Sequence, residues 1–188
     1  QTFEPGIDPI TGLETRDRFI STVGELLSGL EDRNTHGAIV LVDIDRMRQI
    51  NSSAGRVTGD AVLKEMAEAL RKSLGENATL VRDAGDAFAA FMPDVEAFFA
   101  EMAAEEVLGA AANAGQKVGV PFTVSVGLAL YPEDARDVEQ LLAAARLAAR
   151  HAYESGSNKA VPMSQLGPPA NFELLMDRPA ETLQVLLT

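Results

Sequence analysis

The eleven residues "VRDAGDAFAAF" at 81–91 constrain the fold more than any other stretch of the chain. Two apolar runs, 78–82 and 87–92, are split by the short polar turn Asp83-Ala84-Gly85-Asp86-Ala87. A gap that short between strand-like runs predicts a β-hairpin. A chain that must contain a hairpin must also cover its apolar face with other elements.

Those elements are legible in the flanking sequence. Residues 15–30 place Phe19, Val23, Leu26, Leu27 and Leu30 on one helical stripe, and "GAIVLV" at 37–42 is β-branched and too short for a helix. Residues 60–74 repeat Leu63, Met66, Leu70 and Leu74 as an amphipathic helix, with Asp60 at its start, where a carboxylate suits the N-terminus. Residues 94–112 predict a helix that uses Val95, Phe98, Phe99 and Met102 and stops at Asn113-Ala114-Gly115. "FTVSVGLAL" at 122–130 alternates Phe122, Val124, Val126, Leu128 and Leu130, so one face of a strand meets a core. Val138, Leu141, Leu142, Ala145, Ala148, Ala149 and Ala152 form a last helical stripe closed by Gly156, before a short strand near 159–163. The order is helix, strand, paired helices, hairpin, helix, strand, helix. It predicts an α/β (α+β) fold, a mixed sheet covered by helices and not a regular βα repeat.

The chain has 188 residues, 46% of them hydrophobic, enough for one sizeable core. Residues 1–164 are expected to form that domain. Past Pro162, "GPPA" reads as a linker and "FELLMDRPAETLQVLLT" as a helix interrupted at Pro179, so 165–188 are expected to connect to a further domain. No signal peptide or apolar membrane span is evident, which predicts a cytoplasmic domain whose parent protein could still be membrane-anchored. With no cysteine and two histidines, carboxylates are the plausible metal ligands. A net charge of -12 argues against a nucleic-acid partner, whose phosphates require clustered Lys and Arg.

Three polar knots fall where strands meet turns or helices, the usual place for sites in such folds. In "VDIDRMRQIN", Asp43 and Asp45 end a strand and are expected to point to opposite sides, so that only one faces a metal. In "NSSAGRVTGD", Gly55 and Gly59 permit close backbone approach, while Asn51 and Asp60 offer an amide and a carboxylate suited to a base edge. At the hairpin tip, Gly85 and Asp86 form either a plain turn or a phosphate- or metal-facing loop. Arg82 before the tip reads equally as a surface residue or a phosphate contact. Asp60 reads as a helix cap as well as a base reader, and Asn51 as a polar loop residue as well.

These residues carry a resemblance. Across about 8–163 the chain resembles a GGDEF domain of the diguanylate cyclase family: "DPITGL" at 8–13 is similar to DxLTGL, "DIDRMRQIN" at 43–51 to DIDxFKxIN, and "GRVTGD" at 55–60 to GHxxGD. "TVSVGLALYPED" at 123–134 and the later LL-to-GxN spacing complete the series. The resemblance implies a palm-like fold related to nucleotide cyclases, with the signature on a hairpin tip. It further implies the condensation of two GTP molecules into cyclic di-GMP between two facing domains. Asp43, the carbonyl of Ile44 and Asp86 would hold Mg²⁺, and Asn51 and Asp60 would bind guanine, with Gly85 and Arg82 near phosphate.

The departures are equally specific. The signature stands as Ala84-Gly85-Asp86-Ala87-Phe88, so the fourth-position glutamate that the family needs for metal binding and activity is Ala87. The family's AKxxGRN stands as "AYESGSN", with Tyr153 and Ser157 in place of the phosphate-binding lysine and arginine. Lys159 and Arg150 are the nearby cations that could compensate. The product-inhibition motif RxxD falls on Gly75-Glu76-Asn77-Ala78 and is absent. The resemblance therefore implies a catalytically inactive regulatory domain, binding GTP to control an attached output domain such as an EAL phosphodiesterase. A nucleotide-free dimerisation or docking module and an active cyclase are the alternatives, and Asp86 is left as a vestigial catalytic acid.

Overall fold

The computed structural model describes residues 5–167. Its central strand is β1 (Gly37–Ile44), flanked by antiparallel β3 (Ala87–Pro93) on one side and antiparallel β4 (Val124–Tyr131) on the other. β2 (Thr79–Arg82) pairs with β3 as the expected hairpin, and β5 (Lys159–Pro162) adds parallel to β4. The five-stranded mixed sheet therefore runs β2-β3-β1-β4-β5.

The helices are α1 (Arg16–Arg33), α2 (Met47–Ala54), α3 (Arg56–Leu74), α4 (Ala97–Val118) and α5 (Val138–Glu154), followed by a 3₁₀ turn at Met163–Leu166. Successive strand residues face opposite ways, so β1 feeds two cores. Ala38, Val40, Val42 and Ile44 pack with Val62, Met66 and Leu70 of α3 and Val107 of α4. Ile39 and Leu41 pack with Phe19 and Leu27 of α1 and Leu141 and Ala145 of α5. All seven residues of the predicted α5 stripe are buried. Gly127 is required where α5 crosses β4, because a Cβ there would lie 1.9 Å from the Ala145 carbonyl oxygen.

Three expectations are corrected. First, α3 begins at Arg56 and not at Asp60, because Gly55, at φ +86°, ends α2 and turns the chain directly into α3. Asp60 sits in the second turn and is not the cap. Second, α4 runs through Asn113-Ala114-Gly115 to Val118 and stops at the left-handed Gly119. Gly115 is there for space, since its Cβ would lie 3.0 Å from the Val120 carbonyl oxygen.

Third, the core face of α4 is Ala100, Ala104, Val107, Ala111 and Ala114, while Phe98, Phe99 and Met102 are exposed. Small residues let α4 lie close against its neighbours, and the bulky stripe is turned outward. After β5, Leu166 packs against Ala148, Ala152 and Val161. The "GPPA" linker beyond Gly167 and residues 168–188 lie outside the described residues.

Candidate functional site

β1 ends at Ile44, and the chain turns through Asp45 and the left-handed Arg46 into α2. Asp43 and Asp45 are two apart, so they share a face of the strand, contrary to the expectation of opposite sides. Ser125 stands directly opposite Asp43 in the ladder, yet its hydroxyl donates to Asp45 at 2.6 Å. Thr123 Oγ1 at 2.5 Å and the Asn158 backbone N–H at 3.3 Å also donate to Asp45. Hydrogen bonding therefore separates the two acids: Asp45 is saturated and buried, and it ties β1 to β4 and to the turn before β5.

Asp43 is half-buried and faces a cleft of about 570 Å³ that Ile44, Arg46, Met47, Arg48, Gln49, Asp86 and Tyr153 also line. Burial, followed by the charges of Asp86 and Asp45, pushes its carboxyl up to about 6, against the pull of Arg146. The three residues expected at a metal, Asp43, Ile44 and Asp86, thus meet in one cleft. Two carboxylates and a backbone carbonyl form an oxygen donor set that suits Mg²⁺, which commonly takes its remaining ligands from phosphates and water. Among the described residues no group of three or more acid, histidine or cysteine side chains gathers to hold a metal. Cation affinity here would therefore lean on phosphate oxygens.

The signature turn is built from its neighbours. Gly85 adopts φ +57°, and its carbonyl accepts from Arg82 Nε at 3.0 Å and Nη2 at 2.8 Å. Arg82 also donates to Asp8 at 3.2 Å, so its guanidinium joins the tip to the "DPITGL" loop. In that loop Thr11 donates through both its N–H and its hydroxyl to Asp8. Burial of Asp8 works against ionisation, but these bonds and Arg82 together hold its carboxyl below the usual value. Ala84 is exposed at the tip, and Ala87 is buried directly opposite Asp43.

Asn51 of α2 lies against Gly59 of α3, the residue before Asp60, and neither Asn51 nor Asp60 lines the cleft of Asp43. The Asn51 amide oxygen is packed over Gly59, where a Cβ would come within 1.9 Å of it. The glycine before Asp60 is what admits the Asn51 side chain.

Several residues of the site escape a sequence reading. Lys159 and Arg150 are engaged elsewhere, Lys159 with the Ser155 carbonyl at 2.6 Å and Arg150 with Glu154 at 2.6 Å. The cations in the cleft are instead Arg46 and Arg48, exposed and without an ion-pair partner among the described residues. They flank Met47 at the start of α2, where helix N–H groups also face outward. Their signal was present in "DIDRMRQIN". Asp83 gave no such signal: its fully buried carboxylate pairs with Arg16 at 2.5 Å and with Arg146.

Comparison with known proteins agrees with this architecture. Residues 6–159 match the family described as "Diguanylate cyclase, GGDEF domain". The chain is 31% identical over 162 residues to the cyclic di-GMP phosphodiesterase NbdA of Pseudomonas aeruginosa, a match covering 81% of this chain and 20% of that one. It is 32% identical over 142 residues to the diguanylate cyclase TpbB of the same organism, covering 72% of this chain and 32% of TpbB. This chain therefore spans no more than about a third of either relative. Among solved structures, the GGDEF domain of DgcB from Caulobacter crescentus, in complex with c-di-GMP, superposes with a TM-score of 0.77 at 20% identity over 87% of this chain and 96% of that one. With a family match that spans most of its length and the same sheet and helices, the chain belongs to the diguanylate cyclase GGDEF-domain family.

Proposed function

We propose that this domain is a regulatory member of its family that binds GTP with Mg²⁺ without condensing it to cyclic di-GMP. The observation that carries the reading is the ladder pair Asp43–Ala87, which sets a buried methyl group beside the metal-facing acid where the family signature has glutamate. The positions suited to reading a base keep their amide and carboxylate, Asn51 and Asp60. Asn51 and Asp60 hydrogen-bond guanine. Arg46, Arg48 and the first N–H groups of α2 hold the triphosphate, replacing in part what Tyr153 and Ser157 no longer supply. Asp43, Asp86 and the Ile44 carbonyl hold the cation, which when bound neutralises phosphate charge.

Hydrogen bonds to charged groups contribute roughly 1.5–3 kcal/mol each, so loss of the two α5 anchors weakens binding unless the two arginines make it good. Nucleotide occupancy then biases an attached output domain through a difference in affinity between its two states. NbdA, a phosphodiesterase by name, supports a C-terminal EAL-type output domain as the partner. The cytoplasmic placement and a homodimer of facing domains belong to the same reading; no helix among the described residues is long and apolar enough to cross a membrane.

Calorimetry with GTP and Mg²⁺ tests the proposal, with parallel assay for cyclic di-GMP. Heat that is lost in Asp60→Ala, with no product, is the expected outcome. No heat at millimolar nucleotide leaves the docking-module reading, which the outward-facing Phe98, Phe99 and Met102 favour. Product formation restores the active cyclase.

A further inference from the structure

Three large apolar side chains stand exposed together on α4: Phe98 at 66%, Phe99 at 58% and Met102 at 47%. The two rings meet edge to face with centroids 5.5 Å apart, so they form one aromatic ridge. Phe98 and Met102, one helical turn apart, line a groove of about 440 Å³ whose floor is Leu128 of β4 and whose far wall is Val161 and Pro162 of β5. Contiguous exposed apolar surface of this kind marks a contact site. Nothing in the nucleotide reading uses it, and none of its residues lines the cleft of Asp43.

Charge narrows the chemistry of the occupant. Glu101, Glu105 and Glu106, all exposed, also line the groove, and no lysine or arginine lines it. None of the three has an ion-pair partner among the described residues. Lys117, the one cation of α4, is engaged with Glu65 at 3.5 Å and lies about 22 Å along the helix from Met102. An apolar strip rimmed by unpaired carboxylates is complementary to an apolar strip rimmed by cations. Like charge disfavours the other occupants. A second copy brings the same glutamates and a net charge of -12, and residues 168–188 carry Glu173, Asp177 and Glu181 against Arg178 alone. An anionic lipid surface is disfavoured in the same way.

The shape selects a helix over a strand. Phe98 to Glu106 spans about 12 Å of α4, a little over two helical turns, which suits a facing helix with apolar residues at i, i+3 and i+4. The edge of β5 is a poor template for strand addition, because β5 has four residues and its Pro162 offers no N–H. We propose that the groove between α4 and the end of β5 is the docking site of a basic amphipathic helix of a partner protein. Its apolar face covers Phe98 and Met102, while its lysines and arginines meet Glu101, Glu105 and Glu106. Apolar burial supplies the affinity, and the glutamates select the partner.

A labelled model peptide of about 18 residues, with leucines along one helical face and lysines on the other, is the probe, titrated with the full chain at about 0.15 M salt. Docking predicts saturable binding that weakens at least about tenfold in Phe98→Asp with Met102→Asp. A loss of similar size is expected in Glu101→Lys with Glu105→Lys and Glu106→Lys. All five positions are exposed, and melting curves check that the variants fold. Reversing three exposed acids of α1 instead, Glu25→Lys, Glu31→Lys and Asp32→Lys, makes the same change in net charge and should leave the affinity unaltered. An equal loss in the α1 variant, equal binding of a peptide of the same composition without an apolar face, or no binding at millimolar peptide overturns the proposal. So does self-association of the chain that Phe98→Asp abolishes, which makes a second copy the occupant. Affinity that rises about tenfold on Leu174→Asp with Leu175→Asp makes the C-terminal segment the occupant and overturns it as well.

Discussion

Asp43 of β1 and Ala87 of β3 are direct partners in the antiparallel ladder, so their side chains leave the same face of the sheet. Cross-strand partners of this kind have Cβ atoms about 4.5–5.5 Å apart. The position that carries the signature glutamate elsewhere in the family is therefore beside the acid best placed to face a metal.

Ala87→Glu is expected to lower stability by about 2 kcal/mol at pH 7 without Mg²⁺, because a second carboxylate enters a buried position next to Asp43. On the proposed reading it is expected to yield no cyclic di-GMP, since Tyr153 and Ser157 would still leave the phosphates without their α5 anchors. Urea denaturation with and without Mg²⁺, together with chromatography of GTP incubations, checks both parts; product from this single change would place the whole defect at Ala87.

Asp43→Asn is expected to stabilise the metal-free protein at pH 7. The Asp43 carboxyl is raised from 3.8 in the unfolded chain to about 6 in the fold. Its contribution to stability is fully present below about pH 4 and is lost as pH rises through 6, because the unfolded state releases the proton more readily. The asparagine variant has no such loss, so its advantage is about 1–3 kcal/mol at pH 7 and vanishes near pH 3. Denaturation series in EDTA at the two pH values measure it. The same variant should lose the Mg²⁺ dependence of nucleotide binding.

Asp83→Asn should destabilise by about 1–3 kcal/mol, less than the roughly 3–5 kcal/mol for breaking a fully buried ion pair. The carboxylate is fully buried, but its partners Arg16 and Arg146 are each 40% exposed and can reach water, which softens the loss. A thermal melt of the variant beside Arg16→Met and Arg146→Met, each costing less than Asp83→Asn, tests whether the acid is the hub.

Gly59→Ala and Gly127→Ala separate binding from folding. At Gly59 the clash is with the movable end of Asn51, so stability should change by less than about 1 kcal/mol while GTP binding weakens roughly tenfold, as in Asn51→Ala. At Gly127 the clash is with the backbone of α5, whose Ala149 nitrogen is only 2.4 Å from the added Cβ, and a loss of more than about 3 kcal/mol or failure to fold is expected. Melting curves and calorimetry on both variants give the contrast.

The hairpin, the α5 stripe, the α1 stripe apart from the exposed Leu26, and the altered signature were readable from sequence, because each depends on residue identity and spacing within one short window. Phe19, Val23 and Leu141 had to be buried wherever their helices packed. The tertiary structure alone decided which stripe of α4 faced inward. Both Phe98/Met102 and Ala100/Ala104/Val107 have helical spacing, and only the neighbouring α3 and sheet leave room for the smaller set. It also decided that Asp45 is saturated and Asp43 is not, since the donors Thr123, Ser125 and Asn158 arrive from about eighty residues or more away. The same holds for Asp83, whose partners lie 67 and 63 positions distant, and for the choice of Arg46 and Arg48 over Lys159 and Arg150 as the cations of the cleft. Local periodicity sets which residues must be buried, while the pairing of distant charges is set by which elements the packed sheet brings together.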